Sequence, residues 1–206
     1  MGGLNAEAEQ MIRDACQAAD HDRAATRAFE AYGPEIFSFL VARLRSESDA
    51  GEAFSMFAED LCRGIPTFQW RCSARGYLYT LARNAANRYA TAPQNRRERN
   101  LSMSGNASLS LMMDQARSVT QAYRRTEVKD TIRELRKQLS EDDQMLLILK
   151  VDRDLPWREI AMVMQDEAEP VSDSALDRES SRLRKRFERA KDELRELARQ
   201  AGLLDR

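Results

Sequence analysis

The chain has 206 residues, 42% of them hydrophobic and 33% charged, with a formal net charge of −1. No apolar run approaches the roughly 20 residues of a membrane-spanning helix, and the apolar share argues against a wholly disordered chain. The N-terminal run Met1-Gly2-Gly3-Leu4-Asn5-Ala6-Glu7 lacks the basic-then-apolar order of a secretory leader, which points to a cytoplasmic protein.

Only 8 Gly and 5 Pro are present, so the composition favours helices and leaves few turns for a many-stranded sheet. The pattern predicts an all-α fold. A first short helix covers Ala24 to Tyr32, with Ala25, Phe29 and Tyr32 inward. Gly33-Pro34 interrupts it, and Pro34 suits the first turn of a second helix carrying Ile36, Phe37, Leu40, Val41 and Leu44 on one face. Ser48 or Asp49 can cap a third helix with Ala50, Ala53, Phe54, Phe57 and Leu61 inward, stopped by Gly64-Ile65-Pro66. A loop from Thr67 to Ser73 holds Phe68, Trp70 and Arg71. A fourth helix follows, with Ala74, Tyr77, Leu78, Leu81, Ala82, Ala85 and Tyr89 inward, and ends before Pro93.

Residues 93–125 are polar and lack a steady hydrophobic period, as expected of a flexible linker. A second helical domain is expected over residues 126–202, the first occupying 24–92. Val128, Ile132, Leu135 and Leu139 share one helical face. Ser140 followed by Glu141-Asp142-Asp143 reads as a cap with first-turn acids, which suit the helix dipole. Met145, Leu146, Ile148 and Leu149 give the next stripe, and a short helix carries Pro156 near its start. The last helix, about Ser174 to Gln200, sets Leu176, Leu183, Phe187, Ala190, Leu194 and Leu197 opposite Arg178, Arg182, Lys185, Arg186 and Arg189. A short helix, a turn and a long helix with an arginine-rich face is the plan of a helix-turn-helix.

The charge is segregated. Met1 to Pro66 holds 6 basic and 12 acidic residues, and Arg71 to Arg125 holds 10 and 2. Thr126 to Ser174 holds 7 and 13, and Ala175 to Arg206 holds 10 and 7. Two basic segments can meet a polyanion, and two acidic ones remain for something basic. Catalysis finds little support. The one histidine, His21, sits in a polar stretch without a neighbouring nucleophile and reads as a solvated surface residue. Cys16, Cys62 and Cys72 form no CxxC pair, so a zinc site is not expected and the thiols read as buried or free. There is no phosphate-cradling glycine loop, and no cofactor or metal is expected. Glu59-Asp60 and Glu141-Asp142-Asp143 read as helix-end charges. Nucleic-acid binding fits better. Thr80, Arg83, Asn84, Asn87 and Arg88 recur at three- and four-residue spacing, which predicts one outward face of side chains suited to bases and phosphates. Trp70 lies off any helical phase and is the stacking candidate, whereas Tyr77 falls in the inward phase.

The order Asp49-Ala50-Gly51-Glu52, Phe68, and Tyr77-Leu78-Tyr79-Thr80-Leu81-Ala82-Arg83-Asn84 resembles the sigma-70 family, most of all its extracytoplasmic-function (ECF) group of bacterial RNA polymerase sigma factors. In the second domain Leu139-Ser140, Gln144, Trp157-Arg158-Glu159-Ile160-Ala161 and Arg186 to Arg195 are similar to the family's other domain. Cys62 and Tyr77 stand where the family usually has Trp. The resemblance implies that the first domain binds core polymerase at the β′ clamp helices through Asp49, Glu52, Ser55, Met56 and Glu59. It also implies −10 recognition and melting by Trp70, Arg71, Arg75, Thr80, Arg83, Asn84, Asn87 and Arg88. The second domain then packs on the β flap and reads the −35 element with Arg178, Arg182, Lys185, Arg186 and Arg189. Promoter DNA and an anti-sigma factor are the further partners implied, and the subunit is not itself an enzyme. A helix-turn-helix regulator acting without polymerase, and a helical adaptor for proteins only, are the alternatives.

Overall fold

The structure is a computed structural model that describes residues 2–91, 134–165 and 172–203, with residues 2–5 in backbone only. Every regular element among the described residues is helical. The chain divides into two compact units, Met1–Tyr123 and Arg124–Arg206. The expected linker, the helical face at Val128 and Ile132, and most of the turn after Met164 lie outside the described residues.

In the first unit α1 (Gly2–Gln17) precedes every helix expected from the sequence. Ala8, Ile12 and Ala15, at i, i+4 and i+7, form its thin apolar stripe and are buried. Helix α2 (His21–Leu44) is one continuous helix, with Asp20 as its N-cap accepting from the Arg23 N–H at 3.1 Å. This corrects the break expected at Gly33-Pro34. Pro34 removes only the hydrogen bond to the Glu30 carbonyl, and Glu30 is an exposed residue where water can serve instead. Packing then carries the helix through. Gly33 is buried, and a Cβ there would sit 3.9 Å from Phe54. His21, expected on the surface, is half-buried, with Nδ1 enclosed.

Helix α3 (Glu47–Gly64) starts earlier than expected, because Ser46 and not Ser48 or Asp49 is its N-cap, accepting from the Asp49 N–H at 3.2 Å. It ends at Gly64, and a short 3₁₀ turn, Ile65–Thr67, leads into the loop. Helix α4 (Ala74–Thr91) closes the unit. Helix α2 packs against α1, α3 and α4, so its burial wraps well past one face. Phe39, absent from the expected stripe, is fully buried against Tyr79 at 5.1 Å between ring centroids, while Val41 and Leu44 are half-buried. Phe29, Phe37, Phe54 and Phe57 form an edge-on and tilted cluster with centroids 5.4–6.2 Å apart. Burying each such ring stabilises the unit by about 1.5–3 kcal/mol before entropy is counted.

In the second unit α5 (Glu141–Leu147) begins at the expected cap, with Ser140 accepting from the Asp143 N–H at 3.2 Å, and widens into a π turn at Ile148–Asp152. Met145 to Leu149 are all buried, along with Leu135 and Leu139. Helix α6 (Trp157–Met164) has Pro156 at its N-cap. Helix α7 (Asp173–Gln200) packs on both α5 and α6 through Leu176, Leu183, Phe187 and Ala190. Leu194 and Leu197, expected inward, are only half-buried at the far end of that helix. Trp157 meets Phe187 edge-on at 5.4 Å.

Candidate nucleic-acid interface

The loop between the 3₁₀ turn and α4 holds a chain of planar groups in contact. Tyr77 lies on Phe68 with centroids 4.4 Å apart and rings 14° from parallel. Phe68 meets Trp70 at 4.8 Å, and the Arg13 guanidinium of α1 lies 4.4 Å from the Trp70 ring centre. Gly64 makes this possible, since a Cβ there would fall 2.1 Å from the Tyr77 hydroxyl. Trp70 holds φ at 57°, in the left-handed region that a bulky side chain rarely adopts. Such strain costs on the order of 1–3 kcal/mol and persists where the surroundings fix it. Both Trp70 and Tyr77 are half-buried, so Tyr77 is less inward than its phase predicts.

The N-terminus of α4 is capped twice. The Ser73 hydroxyl accepts from the Gly76 N–H at 2.9 Å. The Glu9 carboxylate of α1 accepts from the Ala74 and Arg75 N–H groups at 2.7 and 2.9 Å, and from the Tyr32 hydroxyl at 3.0 Å. Burial and the Glu9 charge raise the Tyr32 pKa well above its ordinary value. A carboxylate on helix-terminal amides is favourable both as a hydrogen-bond acceptor and against the helix dipole. Glu9 lies 65 residues from the helix it caps, so no local pattern announces it.

The residues expected along α4 do not form one outward face. Arg83 is buried, only 6% exposed. Arg75 is half-buried and donates to Glu35, which also accepts from the Tyr79 hydroxyl at 2.7 Å. Burial opposes the Arg75 charge, but the Glu35 carboxylate outweighs it and raises the Arg75 pKa. Arg88 is exposed and pairs with Asp60 of α3. Thr80, Asn84 and Asn87 are half-buried, Thr80 donating to the Gly76 carbonyl at 3.2 Å. Arg71 is exposed beside Trp70. The outward expectation fails at Arg83 because α4 packs on three other helices, which leaves little of its circumference to water.

On α3 the residues expected to meet polymerase also divide. Glu52 and Met56 are half-buried and Glu59 is exposed, at i, i+4 and i+7 on one face. Glu59 pairs with Arg63 at 2.7 Å. Ser55 is buried and donates to the Gly51 carbonyl at 3.0 Å, and Asp49 accepts from the Tyr89 hydroxyl. Ser55 therefore faces the interior, contrary to a contact surface.

On α7 the basic stripe is open. Arg178, Arg182, Lys185 and Arg189 are exposed, and Arg182 pairs with Glu179 one turn away at 2.8 Å. With Asp177 and Ser181, three of them line an open groove of about 450 Å³. Arg186 differs. Its guanidinium is half-buried and donates to Asp143 at 2.6 Å, to Asp142 at 3.1 Å and to the Ser140 hydroxyl at 3.2 Å. Burial pushes the Asp143 carboxyl up, but the hydrogen bonds from Arg186 and Ser140 outweigh it and hold the pKa below the usual range.

None of the three cysteines forms a disulfide; Cys62 is exposed, and Cys16 and Cys72 are half-buried. Among the described residues no cluster of metal-ligating side chains forms, and no helix is long and apolar enough to cross a membrane. No curated protein matches the chain. Residues 28–97, from within α2 through α3 and the aromatic loop to just beyond α4, match the family model of sigma-70 region 2.

Proposed function

We propose that the chain is a promoter-specificity subunit of bacterial RNA polymerase, of the ECF group of sigma factors. The observation that carries the reading is the match of residues 28–97 to sigma-70 region 2, because it falls on the helices that hold the aromatic loop. The subunit supplies binding energy and no bond chemistry, so it is not an enzyme, and it works in the cytoplasm. Trp70 takes a base drawn out of the −10 duplex. Stacking contributes about 1–3 kcal/mol per base. That offsets an unstacking cost of a few kcal/mol. Arg71, Thr80, Asn84 and Asn87 contact the strand around it. Arg75, Arg83 and Arg88 hold the shape of that surface and do not read sequence.

The second unit acts as the helix-turn-helix. Arg178, Arg182, Lys185 and Arg189 lie on the −35 duplex, and Arg186 fixes α7 against the start of α5. The outer face of α3, with Glu52, Met56 and Glu59, docks on core polymerase at the β′ clamp, and the second unit packs on the β flap. An anti-sigma factor is a further partner of these surfaces.

Transcription by core polymerase over a promoter library tests the reading. The parent chain should start RNA synthesis from one promoter class. Trp70→Ala should lower open-complex formation about tenfold, the worth of one stacked base, while binding to core polymerase is kept. Absence of any stimulation by the parent refutes the proposal.

A further inference from the structure

We propose that Arg13, on a helix outside the segment matched to sigma-70 region 2, is a strand-binding residue of the same site and takes a phosphate of single-stranded DNA beside Trp70. The inference rests on the reading of the aromatic loop as a strand-capture site. Arg13 is exposed, and its guanidinium lies over the Trp70 ring at 4.4 Å. Among the described residues it has no ion-pair partner. That separates it from the arginines of α4. Arg75 is held by Glu35, Arg88 by Asp60, and Arg83 is buried.

A guanidinium laid on an aromatic ring keeps its N–H groups at its edge, in the plane that a phosphate can meet with two hydrogen bonds. The ring holds the guanidinium in place in advance, so less freedom is lost when the anion arrives. Placement is fixed as well. Glu9 ties α1 to the first amides of α4, and Arg13 lies one turn further along the same face, where it reaches Trp70. A base on Trp70 and a phosphate on Arg13 are the two halves of one nucleotide, and the loop and α1 present a receptor for each.

The full chain carrying Trp157→Phe keeps Trp70 as its sole tryptophan. Its fluorescence is titrated with a mixed-sequence single-stranded DNA twelve-mer at several salt concentrations. Arg13→Ala should weaken binding five- to tenfold and flatten the salt dependence by about 0.7 log unit per decade, the share of one phosphate on a single strand. Arg13→Lys should keep the salt slope and recover part of the affinity, since the charge stays and the planar edge is lost. Equal affinity and slope for Arg13→Ala overturn the proposal. Tighter binding by Arg13→Ala also overturns it, because Arg13 would then be covering the ring against the base. Failure of the parent to bind the strand overturns it too. Transcription with core polymerase reads the parent function separately. A chain that starts transcription yet loses nothing on Arg13→Ala retains the function and discards the inference.

Discussion

Helices α4 and α7 both carry arginines at helical spacing, and the fold treats them in opposite ways. Helix α4 packs against α1, α2 and α3, so its charges find partners on neighbouring helices, Arg75 half-buried on Glu35 and Arg88 at the surface on Asp60, and Arg83 is buried outright. Helix α7 packs one face on the short helices α5 and α6 and presents four of its five basic stripe residues to water. The same residue type therefore does structural work in one unit and offers surface charge in the other. What decides is how many neighbours a helix has, a property of tertiary packing that spacing alone does not carry.

The contrast predicts different stability costs for equal truncations. The largest is Arg75→Ala. Removing it leaves Glu35 half-buried with the Tyr79 hydroxyl as its remaining described donor, and the first unit should lose about 3 kcal/mol, the lower range for a broken buried pair. Chemical denaturation followed by far-UV circular dichroism measures it. A loss below about 0.5 kcal/mol, the level of an ordinary surface substitution, would place Arg75 with the surface residues of α7 and break the comparison.

Next comes Gly64→Ala. Its Cβ would meet the Tyr77 hydroxyl at 2.1 Å, but the ring carbon bearing that hydroxyl only at 3.4 Å. Overpacking of this kind costs about 1–3 kcal/mol. Combining Gly64→Ala with Tyr77→Phe removes the clashing atom and should restore most of the loss. If the double variant is no more stable than the single one, the stack of Tyr77 on Phe68 is not what sets the glycine requirement.

How far the sequence foretold this structure follows from the same distinction. Local signals were legible: the cap at Ser140, the stop at Gly64-Ile65-Pro66, the start at Pro156, and the stripe Leu176, Leu183, Phe187, Ala190 on a helix with one packed face. Features fixed by partners far along the chain were not. Pro34 looked like a break because its local cost is visible while the three helices that hold α2 are not. Glu9 and Arg13 reach the loop across more than 55 positions from a helix with only a thin apolar stripe. Trp70 falls off every helical phase, and it does lie in the loop before α4. Arg83 was misplaced because its phase is outward only for a helix with a single buried face.

Arg186 is the exception on α7, and it sharpens the comparison through pH. Asp143 has a lowered pKa in the folded protein, so its contribution to stability is present above the ordinary carboxyl value of about 4 and is lost as pH falls through the lowered one. Acid titration of the full chain, followed by Trp157 fluorescence with Trp70→Phe, should show the second unit losing about 1.5 kcal/mol below pH 4, the lower end for a hydrogen bond to a charged group. In Arg186→Met most of that acid-dependent part should be gone. An unchanged acid dependence in Arg186→Met would mean that Asp143 owes its low pKa to its place at the start of α5 and not to the arginine.

The smallest stability effect belongs to the open stripe. Arg182→Ala with Lys185→Ala removes two exposed cations whose only described ion pair is the solvent-washed one between Arg182 and Glu179, so the second unit should stay within about 0.5 kcal/mol of the parent. Duplex binding is where the pair should count. Each neutralised phosphate steepens the salt dependence by about 0.9 log unit per decade, so the double variant should lose close to twice that slope. The two readouts together separate the helices. A truncation on α4 should cost folding, whereas this one should cost duplex affinity at nearly constant stability. If the double variant unfolds as readily as Arg75→Ala, the stripe is part of the packing and α7 is no more a DNA-facing helix than α4.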